Sequence, residues 1–182
     1  MIELAWSDIM RVISGKYKGK KLNGFDIDGT RPTMDRVKES LFAMIQNKLT
    51  GSKCLDLFAG SGALGIEALS NNACLCVFID NNKEAIKTLK SNMSSLTDNI
   101  NILFIDYKKY LKMTEDKFDI IFLDPPYKTK QLNKAIQIIE QNNILEDGGL
   151  LVCEYEVEEP ISNYKLIKEK KYGNKMIKIF EK

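Results

Sequence analysis

Ile120, Ile121, Phe122 and Leu123 run without a break into Asp124-Pro125-Pro126-Tyr127, and no other stretch of the chain restricts its fold so tightly. A continuous Ile- and Phe-rich run is what a central strand of a sheet covered on both faces requires. The two prolines remove two backbone donors and fix two φ angles, so neither strand nor helix continues through them. Asp124 is left at the carboxyl end of a buried strand, where open α/β sheets hold their ligands. Tyr127 follows with an aromatic plate. A carboxylate, a stiff carbonyl-bearing corner and a flat ring suit a planar substrate that carries an amino group.

The surrounding pattern supports such a sheet. Apolar runs predict strands over 54–58, 75–80, 100–105, 118–124 and 150–155, and helical spacing predicts helices over 63–70, 83–94, 108–113 and 131–141. Regular alternation of this kind means a parallel sheet with helices on both faces. Two further extended segments, 164–171 and 176–181, meet at Tyr172-Gly173-Asn174-Lys175, a hairpin signal. Upstream, segments 10–14 and 21–25 flank Gly15-Lys16-Tyr17-Lys18-Gly19, a small hairpin or loop. Arg31-Pro32-Thr33 then opens a helix whose Val37, Leu41, Phe42, Ile45 and Leu49 share a face, and Gly51 ends it. The expected fold class is α/β and Rossmann-like: a mostly parallel seven-stranded sheet with an antiparallel C-terminal hairpin edge. One domain is expected over 10–182, with a hairpin appendage over 10–30 and a poorly ordered extension over 1–9.

Composition narrows the chemistry. Hydrophobic content of 44% and charged content of 29% belong to a folded globular chain. No apolar run approaches the roughly 20 residues that span a bilayer, and residues 1–9 lack a basic leader segment. A cytoplasmic location without membrane contact is expected. Cys54, Cys74, Cys76 and Cys153 fall in apolar runs, form no C-x-x-C pair and have no histidine to complete a zinc site. They are expected to be buried and reduced, and no metal is expected. The absence of histidine also excludes Ser-His and Cys-His nucleophiles and any histidine base. The net charge of +2 says little about partners. Between Arg11 and Arg36, however, Arg11, Lys16, Lys18, Lys20, Lys21, Arg31 and Arg36 outnumber Asp26, Asp28 and Asp35. Such a face suits nucleic acid, and a solvated lysine-rich edge would look the same.

A second anchor follows the first strand. Asp56-Leu57-Phe58-Ala59-Gly60-Ser61-Gly62-Ala63-Leu64-Gly65 contains G-x-G-x-x-G between a strand and a helix. Asp80, at the end of the second strand, stands where a ribose hydroxyl pair would be bonded. A tight turn that needs glycine for conformation alone is the plainer reading. The glycines do not separate a dinucleotide from S-adenosylmethionine, but three features favour the methyl donor. Asp56 would repel a pyrophosphate and welcome an ammonium group. Asp106, ending the third strand, is placed to hold an adenine amino group, though a solvated loop acid is as good an account. The Asp124 corner has no role in hydride transfer. The expected cofactor-binding set is Asp56, Phe58, Gly60, Ser61, Gly62, Asp80, Asn81, Asp106 and Tyr107.

Asp56-Leu-Phe-Ala-Gly-Ser-Gly62 followed by Asp124-Pro-Pro-Tyr127 resembles the amino-methyltransferases that modify exocyclic nitrogens of bases. With Arg11-Val-Ile-Ser-Gly15, Arg31-Pro-Thr33, Asp35-Arg-Val-Lys-Glu-Ser-Leu-Phe42 and Gly62-Ala-Leu-Gly-Ile-Glu-Ala-Leu-Ser70, the chain resembles the bacterial small-subunit (16S) ribosomal RNA guanine-N2 methyltransferases. The resemblance runs from Met10 nearly to the C-terminus. It implies a class I methyltransferase fold, S-adenosyl-L-methionine as cofactor, 16S ribosomal RNA or the small subunit as partner, and a monomer. Thr33 and Arg31 would close over the donor or the substrate, or simply start the helix. Arg11, Lys16, Lys20, Arg31 and Arg36 would bind RNA. Asp124, Pro125, Pro126 and Tyr127 would be the catalytic corner, with the Asp124 carboxylate and Pro125 carbonyl accepting from the amino group and Tyr127 stacking on the base.

Two departures stand out. Residues 1–9 precede the usual family start, and Asn71-Asn72-Ala73 replaces Arg-Gly-Ala, which removes one possible RNA contact. Asn72 can adopt the left-handed cap in place of glycine. A DNA adenine-N6 methyltransferase would use the same corner, but no segment is long enough to be a separate sequence-reading domain. Glutamine methylation is a third option, in a family with asparagine in place of Asp124. A non-catalytic RNA-binding assembly factor is the reading from another class.

Overall fold

A computed structural model describes residues 10–24, 35–126 and 129–182. In chain order its elements are α1 (Asp35–Leu49), β1 (Lys53–Asp56), α2 (Ala63–Ser70), β2 (Leu75–Asp80), α3 (Lys83–Met93), β3 (Ile100–Phe104), α4 (Tyr107–Met113), β4 (Phe118–Leu123), α5 (Leu132–Gln141), β5 (Leu145–Tyr155), β6 (Lys165–Tyr172) and β7 (Lys175–Glu181). The strands form one seven-stranded sheet in the order β3-β2-β1-β4-β5-β7-β6. The first five are parallel, and β7 and β6 add antiparallel at one edge. The strand order reverses between β1 and β4, so the crevice at their carboxyl ends is the switch point where such sheets bind ligands.

Alternation along the strands divides the core in two. Cys54, Phe78, Ile120, Phe122, Val152 and Ile177 pack under α1, α2 and α3. Leu55, Ile79, Ile121, Leu123, Leu151 and Cys153 pack under α4 and α5. Val37, Leu41, Phe42, Ile45 and Leu49 are all buried along α1, as the spacing predicts. The hairpin expected near the start reduces to one antiparallel bridge, Arg11 with Lys21, closed around a single 3-10 turn at Gly15–Tyr17. Asn72 does take the left-handed conformation, with φ of 70°. Among the described residues, no helix is long and apolar enough to cross a membrane.

Three sequence expectations need correction. β1 stops at Asp56: the Leu57 amide makes the last ladder bond, to the Phe122 carbonyl of β4, and the Ala59 amide bonds the Ile79 carbonyl outside the ladder. β5 starts at Leu145, upstream of the expected 150: Gly148, with φ of +74°, lets the strand pass through a pair of glycines, and the register against β4 shifts between Phe118 and Ile120. Cys74 is exposed just before β2, whereas Cys54, Cys76 and Cys153 are buried. Burial pushes the Cys54 thiol up to about 12, so it is inert at neutral pH.

A buried ion pair, invisible to hydrophobic patterning, straps the start of the chain to the helices. Lys38 of α1 and Glu67 of α2 are both fully buried, with 3.2 Å between the ammonium and Glu67 Oε2. The Glu67 carboxylate also accepts from the Ile13 amide (2.9 Å), the Ser14 amide (2.7 Å) and the Ser14 hydroxyl (3.0 Å). The Lys38 ammonium donates to the Arg11 carbonyl. Gly15 allows the close approach: a Cβ there would lie 1.9 Å from the Ser70 carbonyl oxygen.

Candidate active site

The glycine-rich turn at the end of β1 sits at the switch point. Gly60 and Gly62 have φ of 55° and 83°, a conformation that glycine adopts without steric cost. Gly65 serves packing, since a Cβ there would lie 2.2 Å from the Phe78 ring. Asp80 accepts from the Gly60 amide (2.9 Å) and the Asn82 amide (2.8 Å), which ties the turn to the end of β2 and leaves carboxylate lone pairs to spare. Ser61 is anchored through Asn92 of α3, whose amide group donates to the Ser61 carbonyl (2.9 Å) and the Asn23 carbonyl (3.0 Å). The segment leading into residues 25–34 is thereby joined to the turn.

Asp56 is buried and accepts from the Gly65 amide at 3.0 Å. Desolvation pushes its carboxyl up to about 7, against the lowering effect of that bond. A carboxyl raised above its ordinary 3.8 favours folding when protonated. Its contribution is complete below that value and is lost as pH rises through about 7. Asp56→Asn should therefore flatten the fall in stability across this window in the ligand-free protein, as read by denaturant midpoints at several pH values. An unchanged pH dependence would contradict the assignment.

Asp106 caps α4, its carboxylate accepting from the Lys108 (2.9 Å) and Lys109 (3.3 Å) amides. Asn81 is exposed beside Asp80. Tyr107 is buried with its ring centroid 5.0 Å from that of Phe58. Its hydroxyl is the buried side-chain polar atom without a partner among the described residues, an orphan that a ligand could satisfy.

Across the crevice, β4 ends at Leu123, and Asp124 stands one step beyond the Leu123–Cys153 pair, beside Glu154 of β5. Pro125 is buried and Pro126 exposed. The Pro126 carbonyl accepts from both the Thr129 amide (3.1 Å) and the Thr129 hydroxyl (2.6 Å), which fixes the far side of the corner. Burial, and next the Glu154 carboxylate, push the Asp124 carboxyl well above the ordinary range, and Lys175 opposes them. Glu154 and Lys175 are both buried and ion-paired. Sequence reasoning missed this pair. Its only signal was a lone acid inside the apolar run that ends at Tyr155. Tyr127, Thr33 and Arg31 lie outside the described residues.

Of the expected RNA-binding residues that are described, two are engaged by the protein's own acids. Arg11 pairs with Asp35 at 2.9 Å and Lys16 pairs with Asp98. The Lys20 ammonium donates to the Ser95 hydroxyl (2.7 Å), and Arg36 is exposed. No group of three or more potential metal ligands occurs among the described residues.

Comparison with known proteins agrees with this layout. The family model described as Conserved hypothetical protein 95 matches residues 10–181. YlbH of Bacillus subtilis is 40% identical over 182 residues, covering 95% of this chain and 99% of that protein. Ribosomal RNA small subunit methyltransferase D of Haemophilus influenzae is 38% identical over 173 residues, covering 90% of this chain and 89% of that protein. A solved structure from Escherichia coli superposes with a TM-score of 0.86 at 31% identity, over 96% of this chain and 98% of that one. The chain belongs to this family, that of the ribosomal RNA small subunit methyltransferase D proteins.

Proposed function

We propose that the protein transfers a methyl group from S-adenosylmethionine to the exocyclic N2 amino group of a guanine in 16S ribosomal RNA. The observation that carries the reading is Asp124 and its proline corner, facing the glycine-rich turn across the switch point between β1 and β4. Family membership, with a relative named for small-subunit ribosomal RNA methylation, supports the substrate class. The chain's own residues fit the donor. Asp80 keeps acceptor capacity for ribose hydroxyls, Asp56 offers a buried carboxyl to an ammonium group, and the unpartnered Tyr107 hydroxyl lies in the same region as the Phe58 ring.

When bound, the donor supplies an electrophilic methyl on a sulfonium. The guanine amino nitrogen is a weak nucleophile because its lone pair is delocalised into the ring. Asp124 and the Pro125 carbonyl accept its two N–H bonds, draw the lone pair out of conjugation and hold the nitrogen in line. Transfer to the nitrogen would release the donor as a neutral thioether, and Asp124 would take the proton that the nitrogen sheds. Tyr127 stacks on a base that is unpaired or flipped out.

Two experiments test the reading. Gly60→Val should abolish S-adenosylmethionine binding in calorimetry, because a β-branched residue does not tolerate φ of 55° beside Asp80; retained affinity would refute the donor site. Tritiated methyl transfer offered to RNA, DNA and protein from a strain lacking the enzyme should label the small-subunit RNA. Labelling of DNA or protein alone would overturn the substrate class.

A further inference from the structure

The carboxyl ends of four neighbouring strands carry a row of acids on one face. Asp80 of β2, Asp56 of β1, Asp124 after β4 and Glu154 of β5 share the alternation of Phe78, Cys54, Phe122 and Val152, which pack under α1 to α3. Lys175, at the start of β7, has the alternation of Ile177 and Ile179 and closes the row with a positive charge. Its ammonium pairs with Glu154, and both side chains are buried.

This placement bears directly on Asp124. Neighbouring strands lie about 4.8 Å apart, and Asp124 and Glu154 follow the in-register pair Leu123–Cys153 on adjacent strands. A negative charge at Glu154 so close by disfavours ionisation of Asp124, as like charges resist each other. A protonated Asp124 would lose part of its capacity to accept from a substrate amino group. The groups that face it are Glu154 and Glu156 from β5 and the turn beyond it, Asp56 from β1, and Lys175 from β7, which alone of these is positive.

We propose that the buried Glu154–Lys175 ion pair acts as a positioning device for Asp124: Lys175 offsets the charge of Glu154 and so widens the pH range over which Asp124 meets the substrate amino group as a carboxylate. The proposal rests on Asp124 being the amino-group acceptor. In this role each residue acts through Asp124. The arrangement also explains a buried ion pair at this place, where an apolar pair would pack at no desolvation cost.

The test follows the Asp124 carboxyl itself, which needs no substrate. In full-length protein carrying 13C-labelled aspartate side chains, with the Asp124 signal assigned by its loss in Asp124→Asn, the pH midpoint is measured in four forms. Lys175→Met should move it to higher pH. Glu154→Gln should move it to lower pH, because one negative neighbour is gone and Lys175 is released to act on Asp124. The double variant, Glu154→Gln with Lys175→Met, leaves no unpaired buried charge, should remain folded if a single variant does not, and should bring the midpoint below that of wild type by less than Glu154→Gln alone. The acid limb of kcat/KM for methyl transfer should follow the same order. Midpoints that coincide in all folded variants would overturn the proposal and leave the pair a structural role only. Midpoints that move in this order, without methyl transfer to any RNA, would uphold the coupling while refuting the proposed function.

Discussion

Asp124→Ala is expected to lower methyl transfer to small-subunit RNA by at least about a hundredfold to a thousandfold in kcat, the scale of losing one preorganised group at a developing charge. S-adenosylmethionine binding, measured by calorimetry, should survive. The reason lies in the division of labour across the crevice. The turn from Gly60 to Gly65 is fixed by Asp56, Asp80 and Asn92, none of which leans on Asp124 for its hydrogen bonds. The corner, in turn, is fixed by two prolines and by Thr129 closing on the Pro126 carbonyl. Removing the carboxylate thus deletes an acceptor without loosening the frame. Turnover near that of wild type would mean that the amino group is held elsewhere.

The largest stability effect is expected at Glu67. Glu67→Ala leaves the Lys38 ammonium fully buried without its counter-charge, and strips the Ile13 and Ser14 amides of their acceptor. Breaking such a pair from one side costs about 3–5 kcal/mol, a large part of the stability of a domain this size. The Lys38 ammonium is already pushed downward by burial, with Glu67 holding it up, so loss of the carboxylate would favour the neutral amine. Denaturant titration should show the full drop in Glu67→Ala and a much smaller one in Lys38→Met with Glu67→Leu, where both charges leave together. Equal losses in the two variants would mean that the pair's bonds to residues 11–14, and not the orphaned charge, carry the cost.

The elements of the sheet were legible because their signals are local. Apolar runs at 54–58, 75–80 and 118–124 marked the parallel strands, and Gly173-Asn174 marked the closing hairpin. What local pattern could not convey is pairing across the fold. Lys38 reads as an exposed helix position until Glu67 arrives from α2, and Glu154 reads as an interruption of a strand until Lys175 arrives from β7. Gly148 and Gly149 resemble a loop, yet backbone bonds to Lys182, just beyond β7, hold them in a strand. Asp106 showed the opposite ambiguity. Its position at a strand end suggested a ligand contact or a solvated loop acid alike, and the structure shows one oxygen of its carboxylate capping α4. The basic stretch was legible as a charge excess, whereas the engagement of Arg11 by Asp35 and Lys16 by Asp98 appears only in three dimensions.

The central claim is that the Asp124 corner directs a methyl group to guanine N2. The most direct test incubates the purified protein and S-adenosylmethionine with small subunits from a strain lacking the enzyme, digests the RNA to nucleosides and identifies the product by mass spectrometry. N2-methylguanosine, formed by the wild type and absent with Asp124→Ala, is the predicted result. N6-methyladenosine, or no methylated nucleoside, would contradict it.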